Sequence, residues 1–125
     1  MSSTGQLFRI LVVEDHDDTR HMMVRLLSRN YDVVGADSYD TALQHAAQTP
    51  PDLVISDISL QGRSGVDLMR ELSLNYGARG IAVTGHRIED PAELRGAGFI
   101  KHFLKPISFD QLIGAIDQVG AQIAA

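Results

Sequence analysis

Carboxylate, hydroxyl and ammonium side chains follow four of the five apolar runs in this sequence. Glu14 and Asp15 come directly after FRILVV, and Asp57 comes just after LVI. Thr84 follows IAV, and Lys105 follows FIKHFL. Carboxylates bind hard cations and can act as nucleophiles, whereas a lysine and a hydroxyl stabilise the oxygens of an anion. These are the groups that phosphoryl transfer requires.

These side chains can meet only if the apolar runs are neighbouring strands. The runs predict strands over Phe8–Val13, Val33–Val34, Leu53–Ile55, Ile81–Val83 and Phe99–Leu104. Apolar residues at helical spacing predict helices between them, beginning near Asp17, Ser38, Val66, Asp90 and Ser108. Asp17 or Asp18 is expected to cap the first of these helices. Strands that alternate with helices form a parallel sheet with helices on both faces. Ligands bind at the carboxyl ends of such strands, so we expect the polar groups at one rim.

Three carboxylates at one rim would repel one another unless a cation lay among them. Mg²⁺ suits such a set because it prefers hard oxygen ligands and keeps some of its waters. The sequence contains no cysteine and no pair of histidines at ligand spacing, so zinc and copper fit less well. A lysine across the site would neutralise further negative charge. The pattern therefore predicts a magnesium site.

The composition restricts the remaining possibilities. The chain has 125 residues, which is the size of one domain, and we expect a single domain over 1–125 with a core at about 8–120 and flexible tails at 1–6 and 121–125. Its formal net charge of −5 makes direct binding of nucleic acid or of an anionic membrane unfavourable. No apolar run is long enough for a membrane segment, and the first residues lack a signal peptide's apolar core. We therefore expect a cytoplasmic protein.

Four segments of the sequence resemble the receiver domain of two-component response regulators. The resemblance covers about Phe8 to Gly120 and rests on ILVVED at Ile10–Asp15, DLVISDISLQGRSG at Asp52–Gly65, IAVTGH at Ile81–His86 and FLKP at Phe103–Pro106. The fold that this resemblance implies is α/β and flavodoxin-like. It is a doubly wound five-stranded parallel sheet of order 2-1-3-4-5 with five helices.

The resemblance also implies a role for each acidic residue. Asp57 would accept a phosphoryl group from a phosphohistidine on a histidine kinase or a histidine phosphotransfer protein. Asp15 would bind Mg²⁺ directly and Glu14 would bind it through water. Asp57 and the backbone carbonyl of Ser59 would complete the protein ligands.

Further roles follow for the residues at the ends of the last two strands. Thr84 and Lys105 would move to the phosphoryl oxygens, and the surface of the fourth helix, fifth strand and fifth helix would shift for a downstream protein partner. The peptide bond before Pro106 is expected to be cis. Gly65 would fit the turn into the third helix, and Gly85 would leave room for the phosphoryl group.

Four positions depart from the family pattern or vary within it. Gln61 replaces a usual proline, which predicts a looser loop without loss of chemistry. His102 replaces the Tyr or Phe whose ring turns inward on activation, and an imidazole is smaller and can carry charge. Ser59 and His86 flank the pocket and are expected to tune how water reaches the aspartyl-phosphate. His102 and the short segment before the fifth strand resemble receivers attached to hybrid sensor histidine kinases.

The same residues have three alternative interpretations. An aspartate-nucleophile phosphohydrolase usually carries a second aspartate two residues after the first, where this chain has Ser59, and it usually has a cap domain. A flavin-binding flavodoxin needs a phosphate-binding loop after the first strand, whereas the acidic run at 14–18 would repel phosphate. A receiver that binds partners without phosphorylation remains an alternative. As an isolated domain, the chain is expected to catalyse only its own phosphorylation and dephosphorylation and not to be a turnover enzyme.

Overall fold

The structure is a computed structural model that describes residues 8–124, with only the backbone described for 122–124. Its elements are β1 (Arg9–Val13), α1 (Asp17–Leu27), β2 (Asp32–Ala36), α2 (Tyr39–Gln48), β3 (Leu53–Ser56), β4 (Ser59–Leu60), β5 (Arg63–Ser64), α3 (Gly65–Tyr76), β6 (Arg79–Thr84), α4 (Pro91–Ala97), β7 (Phe99–Leu104) and α5 (Phe109–Ala124). Within the described residues, no helix is both long and apolar enough to cross a bilayer.

Five strands form one parallel sheet in the order β2-β1-β3-β6-β7. Numbered among themselves, these strands have the order 2-1-3-4-5, which confirms the predicted flavodoxin-like α/β sheet. Val13 at the end of β1 pairs with Ala36 on β2 and with Ser56 on β3. Thr84 at the end of β6 pairs with Leu104 on β7. The strands β1, β2 and β3 therefore end level with one another, and β6 and β7 extend two residues further because Ser56 pairs with Ala82. The residues that follow the five strands share one rim.

The sheet separates two apolar clusters, and this explains why β1 is apolar at successive positions. Leu11 and Val13 face a cluster that contains side chains of α2, α3 and α4. Ile10 and Val12 face the opposite cluster, to which α1 and α5 contribute. A strand covered on both faces needs apolar residues throughout, whereas a half-exposed strand would alternate. The same burial holds the loops after the strands on a rigid base.

The structure differs from expectation at the start of the first helix and at the end of the last. The side chain that caps α1 is His16, whose Nδ1 accepts the Thr19 amide at 3.4 Å, and Asp17 and Asp18 lie in the first turn instead. The helix α5 continues to Ala124, beyond the end of the expected core at 120, and the flexibility expected at 121–125 stays a prediction. Alanine favours the helix strongly enough that Gly120 does not end it. The tail expected at 1–6 lies outside the described residues.

Candidate functional site

The main chain fixes the acidic residues at the carboxyl edge of two adjacent strands. Glu14 and Asp15 follow β1, and Asp57 follows β3. The amide of Glu14 donates to the carbonyl of Ala36 at 3.1 Å, and the amide of Asp57 donates to the carbonyl of Val13 at 3.2 Å. The hydrogen bonding of the sheet thus continues one residue past each strand, and this places the first and last of these carboxylates side by side.

Lys105 reaches these carboxylates from the end of β7, the strand at the opposite edge of the sheet from β2. Its Nζ donates to Glu14 Oε1 at 2.6 Å and to Asp57 Oδ2 at 3.0 Å. The side chains of Glu14 and Asp57 are only 5% and 14% exposed. Charges so far removed from water need partners, because an isolated buried carboxylate would be strongly destabilising. The lysine therefore holds together the two acidic loops.

The protonation of Lys105 reflects two opposing effects of this position. Burial lowers the pKa of the ammonium group, because it disfavours the charged form. Hydrogen bonds to Glu14 and Asp57 act in the other direction and prevail, so that the pKa of Lys105 lies above its usual value. Lys105 is consequently charged at neutral pH and can neutralise an anion in this cleft.

The acidic cluster has the composition of a site for a hard divalent cation. Glu14, Asp15 and Asp57 each supply one carboxylate oxygen, and these oxygens lie within 4.8 Å of one another. Three carboxylates against one lysine leave a local excess of negative charge, which a dication would offset. The donor set contains only oxygen, as Mg²⁺ prefers. The residues present therefore fit the predicted magnesium site.

Thr84 lies at the same rim, where its hydroxyl is oriented by the loop that follows β6. Its Oγ1 accepts the amide of His86 at 3.1 Å, and the residue is 2% exposed. The backbone carbonyl of Thr84 accepts the amide of Lys105 at 2.7 Å. The structure thus joins the loops that carry the two predicted anion-binding residues. The bond from His86 uses an oxygen lone pair of Thr84 and leaves the hydroxyl hydrogen for another acceptor.

The loop after Asp57 forms the opposite wall of this cleft. The amide of Ser59 donates to Asp57 Oδ1 at 3.2 Å, and the amide of Gly65 donates to the carbonyl of Ile58 at 2.6 Å. A Cβ on Gly65 would lie 2.0 Å from the carbonyl oxygen of Asp57, so only glycine allows α3 to begin this close to the acidic loop. The start of α3 therefore fixes the position of the loop that follows Asp57.

Ser59, Thr84 and His86 line a cleft of about 380 Å³ together with residues of α4, whereas Asp57 and Lys105 are not among its lining residues. A Cβ on Gly85 would meet no atom within 4 Å, so the protein itself leaves room at this point. The Lys105–Pro106 peptide bond is cis, as predicted.

His102 is the predicted switch residue that the structure does not bring to this cleft. It lies exposed on β7 in register with Ala82 and lines a separate cleft of about 300 Å³ together with Leu94 and Arg95 of α4. His86, in contrast, does line the cleft beside Thr84. Any effect of His102 on the acidic cluster must therefore pass through the strand or through α4.

Arg20 supports the site and was not foreseen from the sequence. Its Nη1 donates to the backbone carbonyl of Glu14 at 2.9 Å, and its Nη2 donates to Asp17 Oδ1 at 2.6 Å. The spacing of Asp17 and Arg20, three residues apart on a helix, could have suggested the ion pair. No sequence signal reveals that the same guanidinium also binds a backbone carbonyl at the end of β1.

This arrangement can bring a nucleophilic carboxylate, a cation site, an ammonium group and a hydroxyl to bear on one phosphoryl group. Asp57 is hydrogen-bonded at both carboxylate oxygens, by Ser59 and by Lys105, which fixes its orientation. Lys105 brings a positive charge to it, whereas Glu14 and Asp15 add negative charge that a cation would offset. Positioning and electrostatic stabilisation of this kind account for most of the catalysis of phosphoryl transfer.

Comparison with known proteins agrees with this geometry. The family model described as the response regulator receiver domain matches residues 10–117. The chain is 33% identical over 121 residues to the phosphate regulon transcriptional regulatory protein PhoB of Escherichia coli, a match that covers 93% of this chain and 53% of PhoB. It is 31% identical over 120 residues to the response regulator GacA of Pseudomonas aeruginosa, covering 92% of this chain and 56% of GacA.

The chain spans about half the length of the curated relatives it matches. A solved structure of a response regulator receiver domain protein from Clostridium thermocellum has a TM-score of 0.84 to this chain at 27% identity, covering 94% of this chain and 98% of the other. The family model, the relatives and the solved structure all identify response regulators or their receiver domains. The chain belongs to the receiver domain family of two-component response regulators.

Proposed function

We propose that Asp57 accepts a phosphoryl group from a phosphohistidine on a histidine kinase or a histidine phosphotransfer protein. A carboxylate oxygen of Asp57 forms a bond to phosphorus, and the bond between phosphorus and the donor imidazole nitrogen breaks. The observation that carries this proposal is the double hydrogen bond of Lys105 to Glu14 and Asp57, because it directs a cation at the carboxylate that would react.

The other residues of the cleft have complementary roles in this reaction. Glu14, Asp15, Asp57 and the backbone carbonyl of Ser59 would hold Mg²⁺, which when bound offsets the negative charge of the phosphoryl oxygens. Lys105 pairs with one phosphoryl oxygen and Thr84 donates its hydroxyl to another. Water that enters the cleft past Ser59 and His86 later cleaves the aspartyl-phosphate and returns phosphate.

Phosphorylation adds about 1.5 to 2 negative charges at the rim of the sheet. Lys105 and Thr84 lie at the ends of β7 and β6, so their movement toward the new oxygens displaces these strands and the adjoining α4 and α5. A downstream protein partner would bind that altered surface. On this proposal the domain is a cytoplasmic signalling switch that does not bind nucleic acid by itself, and it is not a turnover enzyme.

The proposal is tested by incubating the protein with acetyl phosphate and Mg²⁺ and then measuring its intact mass. We expect one phosphate adduct on the wild-type protein, none without Mg²⁺, and none on Asp57→Asn, which keeps the shape of the side chain but removes the nucleophile. Asp52→Asn, a substitution of an aspartate at the other end of β3, is the matched control and should still be phosphorylated.

Two other outcomes would contradict this proposal and favour its alternatives. Continuous release of phosphate from unrelated phosphate esters would indicate an aspartate-nucleophile phosphohydrolase. A folded protein that forms no adduct with acetyl phosphate or with a phosphohistidine donor would indicate a receiver that binds its partners without phosphorylation.

A further inference from the structure

The loop that follows the acceptor Asp57 is a short β-hairpin and not an irregular loop. Its strands β4 and β5 pair Ser59 with Ser64 and Leu60 with Arg63. The two residues at its tip, Gln61 and Gly62, have φ angles of +39° and +83°. Two positive φ values are typical of the tight turn that suits a two-residue hairpin. The looser loop expected from the missing proline is therefore not what the structure shows.

Arg63 attaches this hairpin to α2. Its guanidinium carbon lies 3.8 Å from the centre of the Tyr39 ring, and its Nη1 lies 3.3 Å from Asp40 Oδ1. Tyr39 is itself buried, at 8% exposure, and its hydroxyl donates to Glu71 Oε1 of α3 at 3.1 Å. The hairpin is therefore bound to a ring that is already held in place by two helices.

The other end of the hairpin is the wall of the phosphorylation site. Ser59 on β4 donates its amide to Asp57 Oδ1, and its carbonyl belongs to the proposed cation site. Ser59 pairs with Ser64, the residue that follows Arg63. A hairpin this short has little freedom to bend, because two residue pairs and a tight turn make up its whole length. Fixing Arg63 consequently restricts the position of Ser59.

We propose that Arg63 is a positioning residue for the phosphorylation site, acting through its stacking on Tyr39. The stacking holds the hairpin so that the backbone of Ser59 keeps its place beside Asp57. This inference rests on the proposed function, since it assigns a source of cation affinity and of aspartyl-phosphate lifetime to that same site. On this inference, Tyr39 at the start of α2 also influences the cation affinity and the aspartyl-phosphate lifetime.

The two contacts of Arg63 are not of equal importance. The side chains of Arg63 and Asp40 are 53% and 78% exposed, so solvent screens their ion pair and its contribution is small. The Tyr39 ring is buried and rigid, so a guanidinium stacked on it loses less freedom and is attracted by the face of the ring. Removal of Asp40 should therefore have much less effect than removal of the stacking.

The test compares Arg63→Ala with the wild-type protein by two measurements. The first is the dissociation constant for Mg²⁺ by calorimetric titration, which we expect to rise by a factor of about two to five, the factor to which a cation–π contact of this exposure corresponds. The second is the hydrogen exchange rate of the Ser59 amide without metal, which we expect to increase by a similar factor because its bond to Asp57 is less well maintained.

Three variants separate positioning from a general loss of charge or stability. Asp40→Asn should leave both measurements within experimental error. Arg70→Ala, which removes an arginine paired with Asp67 on α3 and outside the hairpin, should do the same. Tyr39→Leu should change both measurements in the direction of Arg63→Ala, and combining the two substitutions should add little further change.

Each remaining outcome overturns a defined part of this account. Wild-type values of both measurements in a folded Arg63→Ala protein would refute the positioning role while leaving the proposed function intact. A wild-type protein that neither binds Mg²⁺ nor forms an adduct would refute the proposed function. In that case faster exchange of Ser59 in Arg63→Ala would still support the mechanical link, and unchanged exchange would refute it as well.

Discussion

At the scale of single residues, the site combines charges that would be unfavourable apart. Glu14 and Asp57 are nearly buried, and Lys105 compensates for both of them at hydrogen-bonding distance. Asp15 adds a third carboxylate to the same cluster. One lysine cannot neutralise three carboxylates, so the folded protein keeps mutual repulsion that a bound dication would relieve.

This excess charge predicts opposite effects of Asp15→Asn with and without metal. Without metal, the substitution should raise the free energy of unfolding by about 1 kcal/mol, since it relieves repulsion within the cluster. With Mg²⁺ at a hundred times the wild-type dissociation constant, the wild-type protein should gain about 2.7 kcal/mol, and the variant should gain clearly less. Urea unfolding with EDTA and with Mg²⁺ measures both quantities.

Asp110→Asn is the matched control, because Asp110 is an exposed carboxylate in the first turn of α5 and outside the cluster. It should show no gain without metal and should keep the full stabilisation by Mg²⁺. If Asp15→Asn destabilises the metal-free protein, or keeps the full magnesium effect, then the cluster does not hold the cation as described.

At the scale of elements, the sequence identifies those whose signals are local or repeated. The strands can be predicted because both faces of the sheet are covered, so that each strand is apolar throughout. The start of α2 can be predicted because Ser38 is a typical cap residue, and the structure adds that Ser38 and Thr41 cap each other. The sequence does not predict the hairpin of β4 and β5, because this hairpin is held by the contact of Arg63 with Tyr39, 24 positions earlier in the sequence. The cap of α1 by His16 was missed because imidazole seldom takes that role.

The φ angle of +39° at Gln61 predicts how the hairpin tip responds to substitution. Gln61→Gly should raise the free energy of unfolding by up to about 1 kcal/mol, because glycine adopts positive φ without steric cost. Gln61→Pro, which introduces the residue usual in this family, should be destabilising, because proline is fixed near a φ of −65°. Thermal or urea unfolding of the wild type and the two variants gives the order of their stabilities.

The same pair of variants reports on the proposed phosphorylation site. Gln61→Pro forces the turn into another conformation, so it should also weaken Mg²⁺ binding, whereas Gln61→Gly should leave that binding unchanged. A Gln61→Pro protein as stable as the wild type would show that the turn does not adopt the described conformation in solution.

At the scale of the whole molecule, contacts between distant parts of the chain determine stability. Tyr31, between α1 and β2, donates its hydroxyl to Asp117 Oδ1 of α5 at 2.6 Å. Burial, together with this hydrogen bond and the charge of Asp117, raises the pKa of Tyr31 to about 12. The folded protein therefore retains the phenolic proton at pH values where the unfolded chain loses it, near pH 10.

This pKa difference predicts the alkaline behaviour of Tyr31→Phe. The contribution of Tyr31 is complete below about pH 10 and falls as the pH rises toward 12, because the unfolded chain then binds fewer protons than the folded protein. At pH 7 the variant should be about 1 kcal/mol less stable than the wild type, which is the worth of one hydrogen bond. The difference should shrink between pH 10 and 12.

Urea unfolding at a series of pH values measures this difference, and Tyr76→Phe, in the opposite apolar cluster, is the matched control. A constant difference between wild type and Tyr31→Phe up to pH 12 would contradict the assignment. So would an absorbance titration in which all three tyrosines ionise near pH 10 in the folded protein.

The sequence therefore predicted the sheet and the rim residues but not the contacts that bind them together. Each strand is recognised by its own composition, and Asp57, Thr84 and Lys105 by their place after strands. The bonds of Arg20 to the carbonyl of Glu14 and of Arg63 to Tyr39 depend on side chains brought together only by folding. No local signal specifies such pairs.

The ion pair of Lys105 with Glu14 joins residues that lie 91 positions apart. If the chain were cut in the exposed loop between β6 and α4, one piece would carry Glu14, Asp15, Asp57 and Thr84 and the other would carry Lys105. Neither piece alone would possess the complete charge set. If the chain is phosphorylated as proposed, recovery of reactivity with acetyl phosphate on mixing would report reassembly of the two pieces, so that this fold could be used as a split sensor.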